Sequence, residues 1–293
     1  EPISNPRGSA PGISMQVQRT GGDAFCRVIV MPGVPSEMKR MFEQEVLPGL
    51  SGSGRVIRHA RINCFGVGES AAEEMLGELT ARDRDPEVGI TVHEATITMR
   101  ITAHGNSEAE CQRKISEAGQ TVREKLGEFV FGVEDEELEH IVVRLLRERG
   151  LTLATAESGT GGLLAHRLTD VAGFEGCYLG GVVVPTDAAK REMLEVDGDL
   201  LKQAGSISAE AAAAMAGGCH RQFGTDFALA ITECPWFDPD DSTGETPIVY
   251  VALVGDGIAE SASHAMVGDP AIAKSRAAKM ALNLLRLKLL EID

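Results

Sequence analysis

Between Leu151 and Leu168 the chain reads LTLATAESGTGGLLAHRL, and no other stretch limits its fold as strongly. The apolar run Thr152–Ala156 predicts a buried strand, and Thr160–Leu168 predicts a helix. A polar, glycine-rich elbow joins them. A strand that passes through such an elbow into a helix is a building unit of an α/β sheet. A serine at the elbow, here Ser158, presents its hydroxyl at the top of the sheet, and the following N–H groups converge on one point. With the positive end of the helix dipole, those groups suit an oxyanion or a phosphate. Gly159, Gly161 and Gly162 would let a ligand approach the backbone closely. The same residues also suit a plain tight turn with Ser158 as a helix cap.

A length of 293 residues predicts about two domains. Residues 136–293 alternate strands with helices, which predicts a three-layer α/β/α domain. Residues 55–133 read as strand, helix, strand, strand, helix, strand. That β-α-β-β-α-β order predicts a small α+β domain. Residues 1–50 are rich in Pro and Gly; they show one clear strand, Phe25–Met31, and a helix at Glu37–Glu45 capped by Ser36. One strand and one helix cannot enclose a core alone. This block is expected to be the tail of a domain, or to dock elsewhere. The chain opens on Glu1 with no leader after it, and so reads as a piece of a longer protein.

Lys and Arg total 28 and Asp and Glu total 44, a net charge of −16. Such a balance disfavours nucleic acid or an anionic membrane as partner. No apolar run reaches the ~18–20 residues of a membrane span. Six cysteines, at 26, 64, 111, 177, 219 and 234, are scattered without CxxC or zinc spacing. They read as reduced thiols of a cytoplasmic protein.

A serine nucleophile needs a base. Lys190, after the predicted strand Tyr178–Val184, would reach the same sheet rim, where ligands bind in open α/β sheets. A lysine acts as a base only when burial keeps its amine uncharged. Otherwise Lys190 is an ordinary helix lysine.

The stretches TAESGTGGLLAHRLTDVAG (155–173), LGGVVVPTDAAK (179–190), GSISAEAAAAMAGG (205–218) and DFALAIT (226–232) resemble the C-terminal domain of the CinA family. Residues 55–133, with FGVGESAAEEMLGEL, resemble that family's KH-type middle domain, and residues 4–50, with NPRGSAPG and MPGVPSEMKRMF, the end of its MoaB-like domain. The resemblance implies hydrolysis of the carboxamide of nicotinamide mononucleotide to carboxylate and ammonia. Ser158 would be the nucleophile and Lys190 its base, with Gly159, Thr160, Gly161, Gly162, Thr186 and Thr232 around the substrate. It implies no metal and no organic cofactor, a small nucleotide-like partner, and a homodimer. With most of the MoaB-like domain absent, the pyrophosphatase activity associated with that domain is not expected here.

Four departures from the family pattern matter. Gly159 replaces the cysteine of ESCTGG, a change that reads as mild because the backbone N–H remains. Pro185 replaces a tyrosine in TYSNEAK and supplies neither hydroxyl nor N–H. The glycine-rich loop after AIT is replaced by Glu233-Cys234-Pro235-Trp236 and an acidic run to Glu245. Each carboxylate there would repel a phosphate by about 1 kcal/mol at 4 Å in water. Pro270 stands where many relatives carry the arginine of GDR, with Lys274 and Arg276 as possible substitutes. Two readings stay open: an active amidohydrolase, or a degenerate relative kept for ligand binding, assembly or structure.

Weaker signals are set aside. Gly66-Val67-Gly68-Glu69-Ser70-Ala71 fits a dinucleotide fingerprint on paper, but the following β-β-α order breaks the βαβ unit. Residues 238–245 misplace the glycine of a calcium loop. The middle block lacks a basic GxxG clamp and reads as a spacer or dimerisation module.

Overall fold

The computed structural model describes residues 1–18, 20–22, 25–50, 54–234, 246–266 and 270–292. The chain divides into two compact units, Glu1–Arg55 and Val56–Asp293.

In the first unit, β1 (Pro2–Ile3), β2 (Gly12–Gln18) and β3 (Phe25–Val30) form an antiparallel sheet in sequential order. Only β3 was expected; β2 carries a period-two set, Ile13, Met15 and Val17, diluted by Gln16 and Gln18. Helix α1 (Pro35–Met41) starts one residue before the expected cap, because Pro35 occupies its first turn with a preset φ. Met41 and Val46 pack on Ile3, Ile29 and Met31 in a small core. The other sheet face, with Ile13 across from Val30 and Met15 across from Val28, is apolar and exposed.

The second unit opens with β4 (Val56–Cys64), α2 (Glu69–Leu76), β5 (Glu87–His93), β6 (Thr96–Gly105), α3 (Glu108–Leu126) and β7 (Val130–Val133). The sheet order is β5-β6-β4-β7, all antiparallel. Helix α2 is shorter than the expected span to Arg82, because Gly77 takes φ 57° and ends it. Strand β4 has only antiparallel neighbours, so the glycines at 66 and 68 do not open a dinucleotide crossover.

There follow α4 (Leu138–Arg149), β8 (Leu153–Glu157), α5 (Leu163–Thr169), β9 (Tyr178–Val183), α6 (Asp187–Leu194), α7 (Gly198–Ala204), α8 (Ala209–Phe223), β10 (Phe227–Ile231), β11 (Ile248–Gly255), β12 (Ile258–Ala265) and α9 (Pro270–Glu291). Strands run in the order β12-β11-β10-β8-β9, with β10, β8 and β9 parallel. Alternation along the strands sorts side chains by size. Leu153, Leu229, Ile231, Val251 and Leu253 face the core built with α4, α5 and α9. Ala154, Ala156, Ala228, Ala230 and Ala252 face α8, which answers with Ala211, Ala212 and Ala216. This is the expected three-layer α/β/α arrangement.

The α+β segment packs against the C-terminal layers through two buried cations, Lys279 and Arg286, and the half-buried Arg167. Lys279, 1% exposed on α9, donates to Thr96 Oγ1 at 2.7 Å and pairs with Glu137 at 2.9 Å. Arg286 donates to Glu128 O at 2.6 Å and Val130 O at 3.2 Å. Arg167 on α5 bridges Glu94 (2.8 Å), Glu139 (3.0 Å) and Ser275 Oγ (2.7 Å). Hydrogen bonds from Ser275 first, then from Arg167, hold the Glu94 carboxyl below its ordinary range.

Lys279→Ala should destabilise the unit by about 2–4 kcal/mol, because it strands Glu137 and Thr96 at a buried junction; urea unfolding measures it. The Glu94 contribution is present above the unfolded value of 4.5 and is lost as pH falls through the lower folded value. Glu94→Gln should therefore flatten the acid limb of a stability-against-pH curve and leave the neutral-to-alkaline slope unchanged.

Candidate functional site

Strands β8 and β10 pair in register, with Glu157 opposite Ile231. The pairing continues beyond both strand ends. Ser158 N–H donates to Ile231 O at 3.0 Å, and Gly159 N–H to Thr232 O at 3.1 Å. On the other side Val184 N–H donates to Glu157 O at 2.7 Å. The elbow is thus fastened to both neighbouring chain segments. The amide after Ser158, expected to face an oxyanion, is spent on Thr232.

Gly161 and Gly162 take φ 66° and 97°, so the chain turns twice before α5 can start. That is why the helix begins at Leu163 and not at Thr160. The buried Glu157 carboxylate fills the turn. It accepts from Thr160 Oγ1 at 2.6 Å, Gly162 N at 3.1 Å, Leu164 N at 3.0 Å and Ala165 N at 2.8 Å. An anion of the chain itself therefore occupies the start of α5, where the sequence suggested a phosphate or oxyanion.

Ser158 is 5% exposed, and its hydroxyl has no hydrogen-bond partner among the described residues. A buried polar atom left unpaired costs about 1–3 kcal/mol, so this atom stands out. Lys190 is fully buried. Its Nζ donates to Glu233 Oε1 at 2.6 Å, Asp187 Oδ1 at 3.2 Å and Ser206 O at 3.4 Å. Three acceptors match the three hydrogens of an ammonium. No Ser158–Lys190 hydrogen bond is formed: the Lys190 Nζ is engaged by the Glu233 and Asp187 carboxylates and by Ser206 O. Hydrogen bonding from Ser206 first, 2.6 and 2.7 Å from its two oxygens, and then from Lys190 keeps the Asp187 carboxyl below its ordinary range. The second Glu233 oxygen, Oε2, is buried without a partner among the described residues.

The other expected ligand-facing groups serve the backbone. Thr186 Oγ1 caps α6 by accepting from Ala189 N at 3.2 Å. Thr232 Oγ1 accepts from Tyr250 N at 3.1 Å on β11. Tyr178 cannot replace the tyrosine lost at Pro185. It sits at the far end of β9, bonded to Thr155 at 2.7 Å, with its hydroxyl pushed up to about 12 by burial.

Gly159 has no room for a side chain. A Cβ there would fall on the backbone nitrogen of Cys234 and lie 2.7 Å from the carbonyl carbon of Glu233. What reads as a mild replacement is therefore a fitted one: the Glu233–Cys234 backbone occupies the space a cysteine at 159 would need. Burial pushes the Cys234 thiol up to about 11, against the opposing pull of Lys274, so it is no thiolate nucleophile at neutral pH. Lys274 reaches the elbow from α9, with Nζ 4.0 Å from a Cβ placed on Gly161. Among the described residues, no group of three or more His, Cys, Asp or Glu could hold a metal. The acidic positions from Asp238 to Glu245, and Gly268-Asp269, lie outside the described residues. No helix among the described residues is long and apolar enough to cross a membrane.

The CinA C-terminal domain profile matches residues 135–289, and that of the damage-inducible protein CinA KH domain matches residues 59–132. A CinA-like protein of Kosmotoga olearia is 34% identical over 293 residues, covering 99% of this chain and 69% of that protein. The chain belongs to the CinA family. A putative competence-damage inducible protein of Caldanaerobacter subterraneus is 39% identical over 254 residues, covering 86% of this chain and 59% of its own length. The chain thus spans about three-fifths to two-thirds of such relatives. A crystal structure of a CinA superfamily protein from Klebsiella pneumoniae matches 53% of this chain and 96% of its own, at 33% identity and a TM-score of 0.49.

Glu157 is bonded into the Ser158 elbow, and Glu233, Asp187 and Ser206 surround Lys190; sequence reasoning assigned none of the four a role. The i,i+3 spacing of Asp187 and Lys190 was the one signal within reach. Gly159→Ala should cost about 1–3 kcal/mol by overpacking against backbone that cannot rotate away; a lowered thermal midpoint with unchanged far-ultraviolet circular dichroism checks it.

Proposed function

We propose that the C-terminal domain is a carboxamide-binding site of the nicotinamide-nucleotide amidohydrolase type whose hydrolytic step is held back. The observation that carries this reading is the pairing of Lys190 Nζ with Glu233 at 2.6 Å while Ser158 Oγ has no hydrogen-bond partner among the described residues. In the full reaction Ser158 Oγ adds to the amide carbon and a base takes its proton. The carbon–nitrogen bond then breaks, ammonia leaves with a proton, and water releases the carboxylate from the acyl-serine. Here the amine at the base position is bonded to two carboxylates and not to Ser158. General base catalysis contributes typically 10²–10⁴-fold, so turnover should be slowed on that scale.

The partner in this reading is a small nucleotide-like molecule, not nucleic acid or a membrane, in keeping with a net charge of −16. The protein acts as a cytoplasmic homodimer and uses no resident cofactor.

Ammonia release from nicotinamide mononucleotide tests the proposal. The wild-type chain should turn over slowly, at high enzyme concentration only, and Ser158→Ala should abolish release. Glu233→Gly, which frees Lys190 from its nearest acceptor, should raise kcat at saturating substrate by at least about tenfold. A Glu233→Gly rate equal to that of the wild type, or release that survives Ser158→Ala, would overturn it.

A further inference from the structure

Two buried polar atoms at this rim lack partners among the described residues: Ser158 Oγ and Glu233 Oε2. They belong to adjacent chain segments, since Gly159 N–H is bonded to Thr232 O and the Gly159 Cβ position abuts Glu233. Their chemistry differs. The serine hydroxyl can donate or accept, whereas the free carboxylate oxygen only accepts. Glu233 Oε1 already accepts from Lys190 Nζ at 2.6 Å, which fixes the orientation of the carboxylate. A third group, the Lys274 ammonium, stands on the Gly161 side of the elbow. Acceptor, hydroxyl and cation together match a primary carboxamide, which offers two N–H donors, an electrophilic carbon and a carbonyl oxygen.

We infer that Glu233 is a specificity-determining residue that reads the NH₂ of a primary carboxamide through Oε2 and so separates the amide from the corresponding carboxylate. The inference rests on the proposed reading of the site as one that binds a carboxamide. A carboxylate ligand would bring a second negative charge against Glu233 and supply no donor. A methyl ketone of the same shape would leave Oε2 unpaired. A site built to hydrogen-bond a ligand N–H discriminates strongly against an analogue that lacks it, because its own buried group is then stranded. The acid formed by hydrolysis would be expelled for the same reason.

Calorimetric titration of the intact chain with three probes tests this: nicotinamide mononucleotide, nicotinate mononucleotide and 3-acetylpyridine mononucleotide. The amide should bind at least about tenfold tighter than either analogue. In Glu233→Gln the amide-to-acid ratio should fall to within about threefold, since a glutamine can turn either its NH₂ or its carbonyl to the ligand. A melting curve on the variant shows whether it is folded; if it is not, the wild-type comparison of amide with acetyl probe decides alone. Equal binding of amide and acetyl probes by the wild type overturns the inference and leaves the carboxamide site standing. Unchanged discrimination in folded Glu233→Gln also overturns it. Binding of none of the three removes both the inference and the reading beneath it.

Discussion

The inward-facing carboxylate of Glu157 is the interaction on which the geometry of the rim depends. It ends a fully buried strand, accepts four hydrogen bonds from the turn and first residues of α5, and leaves its own carbonyl to bind Val184. The turn after Ser158 is therefore not a loose glycine loop. It is a ring closed on an internal anion, and the two left-handed glycines are what allow the ring to close. Ser158 is placed by this ring and by its pairing with Ile231, not by contact with a base.

On the neighbouring strand extension, Glu233 acts on the site in two ways. Its side chain ties Lys190 into an ionic cluster with Asp187, and its backbone fills the volume that a side chain at 159 would take. The glycine at 159 and the glutamate at 233 are thus two halves of one departure from the CinA pattern. A change at either alone leaves a clash or a void, and a buried charge without its partner is the costlier of such errors.

The order of strands and helices was legible because glycine and proline punctuate it and because the apolar period changes cleanly from two to 3.6. The strand–elbow–helix unit at 153–169 and the β-α-β-β-α-β order were readable for that reason. Strands β1 and β2 were not, since Pro2, Gly12, Gln16 and Gln18 mask a period-two signal carried by few residues. The positions of Ser158 at the elbow and of Lys190 on the following helix were legible, but not what either side chain touches. What Lys190 bonds to depends on which strand lies next to β8, and its strongest acceptor is 43 positions away. Glu157 reads as the last residue of a strand, and nothing local says that its carboxylate folds back over the next helix.

The alanine face of the large sheet has a consequence for how this domain can drift. Five methyl groups meet the alanines of α8 there, and Gly218 presses against the carbonyl of Leu194. Growth by even one carbon on that side would lift α8 away from the sheet, and α6, which carries Asp187 and Lys190, packs against α8. The opposite face, filled by leucines, isoleucines and valines, can exchange volume among neighbours. Sequence divergence should therefore be lopsided, concentrated beneath α4 and α9 and nearly frozen beneath α8.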